Sequence, residues 1–141
     1  MLYIFLALIF YTSIILIGTF ASRLANTNLV SAIVSIFSAI IPTIVAIPLL
    51  NKATIENQRL GVMAAVISGL IVGLFTLVFN KSLAVNKVGI VAPIIFGGSI
   101  FLSTILSYFI FREKVSLAHG IGLGFLGIGF LIIIYAKFTG K

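Results

Sequence analysis

Five stretches of about 20 apolar residues, each cut from the next by a short charged or polar group, dominate the sequence. They run over about residues 2–22, 29–50, 60–80, 88–111 and 118–137. Arg23 with Asn26, Thr27 and Asn28 closes the first, and Asn51 with Lys52 closes the second. The third follows a loop holding Glu56 and Arg59 and ends at Asn80 and Lys81; Lys87 and Arg112 bound the fourth. Lipid offers no hydrogen bonds to a backbone, so an unbroken apolar run of this length crosses as a helix, which satisfies its own peptide groups. Strands of an outer-membrane barrel would be half as long and would alternate polar with apolar residues. The expected fold is all-α, an integral membrane bundle of five transmembrane helices in a single domain, 1–141.

Composition agrees. Of 141 residues, 62% are hydrophobic and 8% charged, and the mean hydropathy is +1.37, far from the soluble mix of roughly half apolar and a quarter charged residues. Five crossings use roughly 100 residues and leave about 40 for connections, too few for a soluble catalytic domain within this sequence. The net charge of +7 comes from 9 basic and 2 acidic residues scattered from Arg23 to Lys141; nucleic-acid binding needs them gathered on one face. Cysteine is absent, which removes disulfides, thiolate metal sites and cysteine nucleophiles. No basic segment precedes the first apolar run, so it reads as a first helix rather than a cleaved signal peptide.

Short-loop Lys and Arg normally set orientation. With five spans, one side receives Lys52, Arg59, Arg112 and Lys114, and the other Arg23, Lys81, Lys87, Lys137 and Lys141. This balance leaves two readings: orientation is fixed by other means, or copies insert both ways up and pair antiparallel. Transporters often pack two inverted repeats around a midplane site. The sequence shows no internal repeat, so a second copy or a homologous chain is the expected source of the other half.

Helices in lipid associate where small residues let backbones approach. Gly61, Ala65, Gly69 and Gly73 recur every four residues along the third helix, and Gly120, Gly124 and Gly127 share a face of the fifth. These are read as packing ridges. Ser31, Ser35, Ala39 and Thr43 in the second helix, and Ser99, Ser103 and Ser107 in the fourth, form hydroxyl stripes. Such stripes either line a polar path or are packing seams whose hydroxyls bond back to their own helix. Pro42 and Pro93 each remove a backbone hydrogen bond deep in a span, and Tyr11, with Thr12 and Ser13, is the most polar point of the first helix.

Ionisable groups within a span mark ion or proton paths, but Glu56 and Glu113 lie between spans and His119 at an interface. Two separated carboxylates and one histidine give neither a nucleophile–base pair nor a metal cluster, so the chain is not expected to be an enzyme, and no metal or cofactor is implied. Nothing spells a channel filter of ringed carbonyls or charges.

Residues 77–95 (LVFNKSLAVNKVGIVAPII) and 111–122 (FREKVSLAHGIG) resemble the junction of the third and fourth helices, and the turn into the last helix, of EamA-type domains in the drug/metabolite transporter superfamily. The resemblance covers about residues 60–137; the first two helices match by position and hydropathy alone. It implies a five-helix unit, usually duplicated with inverted halves, that moves small metabolites or drugs by alternating access. Glu113, Lys114 and Gly120 match its motif, and Glu113 is given a structural part, capping the fifth helix or pairing with Arg112 or Lys114. The chain lacks the first-helix glutamate of the similar four-helix small multidrug resistance proteins, which argues against their proton–cation exchange.

The expectation is a multi-pass cell-membrane protein, in the inner membrane if the source is prokaryotic, acting as a dimeric transporter subunit. The dimer is a homodimer, antiparallel where copies insert both ways up, or a heterodimer with a homologous chain. Its substrate path is assigned to Tyr11, Ser38, Pro42, Thr76, Asn80, Pro93 and Ser99, with neutral or zwitterionic solutes preferred. A non-transporting accessory or assembly subunit, or half of a lipid-linked substrate flippase, are the alternatives.

Overall fold

A computed structural model describes residues 2–112 and 116–139, residues 52–54 by backbone alone. The fold is all-α, with no strand among the described residues. The elements are α1 (Leu2–Leu24), α2 (Thr27–Ala46), a 3₁₀ turn (Ile47–Leu49), α3 (Lys52–Asn57) and α4 (Arg59–Val85), then α5 (Val88–Ala92), a π-helical turn (Pro93–Gly97), α6 (Gly98–Phe111) and α7 (Leu117–Thr139). Five spans, Leu2–Leu24, Thr27–Leu49, Arg59–Val85, Val88–Phe111 and Leu117–Thr139, are long and apolar enough to cross a membrane. The chain divides into two compact units, Met1–Val85 and Asn86–Lys141.

In the first unit α1, α2 and α4 pack against one another. The turn between α1 and α2 is tight because Asn26 caps α2, its side chain accepting from the Asn28 amide at 2.9 Å; that satisfies an N–H the helix itself cannot reach. Buried residues gather at the end where this turn lies: Thr19 and Ser22 on α1, Val30 and Ser31 on α2, Phe79, Asn80 and Leu83 on α4. Most other large apolar side chains are exposed, Leu8, Phe37 and Leu70 among them, as suits helices solvated by lipid.

The boundaries depart from hydropathy in three places. Helix α2 gives way to the 3₁₀ turn at Ile47 because Pro48 has no N–H for the α ladder. The residues around Glu56, read as a loop, include the short helix α3. Helix α4 continues past Asn80 and Lys81 to Val85; at about 1.5 Å per residue, its 27 residues reach about 40 Å, beyond an apolar core of about 30 Å, so its last turn can carry Lys81 out to the headgroups.

In the second unit the fourth span is not one continuous α-helix. Pro93 cannot donate to Gly89, and the turn from Pro93 to Gly97 is π-helical; beyond it the winding tightens again, the Gly98 amide donating to the Ile94 and Ile95 carbonyls. Helix α7 packs against this turn and against α6. The Phe130 ring lies over Gly97 and Gly98, where an added Cβ would stand 3.3 Å from its Cζ at Gly98; at Gly127 a Cβ would meet Phe101 Cε2 at 3.1 Å. Helix α6 ends on Arg112 at φ 54°, a left-handed helix end usually taken by glycine. Ser116 caps α7, its hydroxyl accepting from the His119 amide at 3.2 Å. Serine suits that place, since its short side chain reaches the third amide of the helix. Glu113 and Lys114 lie outside the described residues.

Candidate functional site

Three of the residues assigned to the substrate path, Tyr11, Thr76 and Asn80, line one cavity of about 280 Å³ in the first unit. Val34 of α2 and Phe75 and Phe79 of α4 complete much of its wall. Along α1 the lining runs from Tyr11 to Ala21, about 15 Å at the helical rise, from near the middle of the span toward its end. Phe75 and Phe79 stack with ring centroids 5.2 Å apart and planes 14° from parallel, which one helix face allows at a spacing of four. Among the described residues, no ionisable acid or base other than Tyr11 lines the cavity.

Its polar end is built on Ser31. The Asn80 Nδ2 donates to Ser31 Oγ at 2.9 Å. The single Ser31 hydroxyl proton faces the Thr27 carbonyl at 2.7 Å and, more weakly, the Thr76 carbonyl of α4 at 3.3 Å. Ser31 thus satisfies its own helix and ties α2 to α4 at once. Asn80 is 4% exposed, and Ser31 is the only protein group bonded to its side chain among the described residues. Its Oδ1 is not sealed away, because the one sealed side-chain polar atom without a partner among the described residues is Ser22 Oγ. The amide oxygen therefore keeps its lone pairs for a partner outside the described residues, and Asn80 lines the cavity. The Thr76 hydroxyl donates to the Val72 carbonyl at 2.8 Å and retains lone pairs.

The other assigned residues are not gathered there. Ser38 and Pro42 are exposed on α2; Pro42 withholds the N–H that the Ser38 carbonyl would otherwise receive, and the Ser38 hydroxyl bonds back to the Ser35 carbonyl at 3.0 Å. Pro93 belongs to the second unit and lines a separate groove of about 510 Å³ with Phe96, Gly97 and Phe130. Ser99, Ser103 and Ser107 bond back to the carbonyls of Phe96, Ile100 and Thr104 at 2.9, 3.1 and 3.0 Å, so the stripe in the fourth span is satisfied on its own helix.

Among the glycines assigned to packing, Gly127 alone has a close neighbour among the described residues. An added Cβ at Gly61, Gly69, Gly73, Gly120 or Gly124 meets nothing within 4 Å. Gly69 and Gly73 line an open groove of about 640 Å³ with Ser31 and Ser35, and Ala65 is exposed, so the ridge of α4 is left uncovered by its own unit. The close glycine contacts that sequence reading missed are Gly97 and Gly98; their adjacency to Pro93 was the available signal. No three His, Asp or Glu residues come together to hold a metal among the described residues.

With five spans of this length and hydropathy, the chain is a multi-pass α-helical membrane protein. Compared with protein families, curated proteins and solved structures, it matches none.

Proposed function

We propose that the chain is a subunit of a small-molecule transporter of the cell membrane, the inner membrane in a prokaryote, working by alternating access. The observation that carries this reading is the cavity joining Tyr11, Thr76 and Asn80: a buried amide with an open acceptor in a membrane helix is costly unless something uses it. The likeness of residues 77–95 and 111–122 to EamA-type domains supports the same reading. The near-even Lys and Arg distribution supports a dimer of oppositely inserted copies, each supplying one half of an inverted pair. Purified protein in vesicles should take up solute, and Tyr11→Phe should reduce uptake without lowering membrane abundance. Unchanged uptake removes Tyr11 from the path, and no uptake of any solute by purified protein sinks the reading.

One observation favours a second reading, a non-transporting accessory subunit. The uncovered ridge of Gly61, Gly69 and Gly73 suits docking of a different membrane protein as well as of a second copy.

A further inference from the structure

We infer that the cavity of the first unit is a binding site for a small, uncharged, one-ring compound carrying an N–H or O–H donor, read by Asn80. The inference rests on the transport reading only for its biological use; the binding chemistry stands on the cavity itself. Three observations define the ligand. The first is size: about 280 Å³ falls just below the range of about 300–1,000 Å³ typical of drug-sized sites, so one ring with one polar substituent is what fits. The second is shape and surface, since the stacked Phe75 and Phe79 rings form an aromatic wall against which another ring gains edge or offset-stacked contact.

The third is polarity. Asn80 spends an Nδ2 proton on Ser31, which fixes the plane of the amide and leaves Oδ1 to accept from a ligand donor. Among the described residues no carboxylate, ammonium, guanidinium or imidazole lines the cavity, so none of them compensates a ligand charge withdrawn from water. A neutral donor is therefore selected over both ions. A ligand lacking the donor would leave the carbonyl oxygen of Asn80 unpaired against the ligand's own surface, a mismatch that sites built around a hydrogen bond reject.

Equilibrium dialysis of radiolabelled benzamide against the purified full chain in lipid nanodiscs tests this, with benzoate, benzylammonium and N,N-dimethylbenzamide as competitors. Benzamide should bind saturably. The two ions and the dimethylated amide, which has no donor, should compete at least about tenfold more weakly than unlabelled benzamide. Asn80→Leu should weaken benzamide binding by a similar factor, and the dimethyl competitor supplies the same discrimination without any variant. Absent saturation, equal competition by either ion, or equal competition by the dimethylated amide overturns the inference. Uptake into vesicles is scored separately. Binding without uptake keeps the site and sinks the transport reading; uptake of a charged solute without benzamide binding does the reverse.

Discussion

Replacing Ser31 should destabilise the first unit more than replacing its partner Asn80, although both substitutions break the same hydrogen bond. In Ser31→Ala the Asn80 Nδ2 loses its acceptor while remaining 4% exposed, and a buried unsatisfied donor costs about 1–3 kcal/mol. In Asn80→Leu, a substitution of similar size, the Ser31 hydroxyl keeps the Thr27 carbonyl at 2.7 Å. Only the interhelical bond is then lost, worth about 0.6 kcal/mol on average between membrane helices. The double variant should resemble Asn80→Leu, giving a coupling of about 1 kcal/mol or more, because no orphan survives. Ser22→Ala is the internal control: its hydroxyl is sealed without a partner, so its removal should be neutral or stabilising. Unfolding of purified protein by sodium dodecyl sulfate in mixed micelles, followed by far-ultraviolet circular dichroism, reads all four. Equal costs for the two single variants, adding in the double, would refute the account of Ser31 as the shared acceptor.

Gly127→Val should cost about 1–3 kcal/mol in the same assay, since its branches enter the space of the Phe101 ring 3.1 Å away, whereas Gly124→Val, with nothing within 4 Å, should cost less than about 1 kcal/mol; equal costs would show that Phe101 moves freely. Gly69→Leu fills the open groove beside Ser35 and should leave the monomer folded while abolishing chemical crosslinking between copies; unchanged crosslinking places the dimer contact elsewhere. Paired reporters fused after Lys141, one active only in the cytoplasm and one only outside, should both give signal if copies insert both ways. Signal from one alone turns attention to an oppositely oriented partner or a parallel assembly.

The helices were legible because span length and charge punctuation are written directly in the sequence, and all five spans fall where hydropathy places them. Which face of each helix turns inward was not. In spans apolar on every side, period carries little information, so Phe79 and Leu83 could not be told from Leu70 and Leu74. Ser31 was visible as a member of a stripe, but its link to Asn80 depends on how α2 and α4 lie together. The cap at Ser116 is in keeping with serine's general preference for helix starts. Tyr11, Thr76 and Asn80 were found by polarity alone. That signal works where polar residues are scarce, and it failed to separate them from Ser38 and Ser99, which do not line that cavity.

The wide turn at Pro93–Gly97 alters the azimuth of everything after it in the fourth span. A single extra residue accommodated in one turn rotates the following helix by about 100° relative to uninterrupted α geometry. A helical wheel drawn through from Val88 therefore assigns Ser99, Ser103 and Ser107 to the wrong sector. Excising one residue between Pro93 and Gly97 would restore an even winding and leave that serine row on the sector it already occupies. In this span the wide turn absorbs an indel that a plain helix would pass on as a rotation.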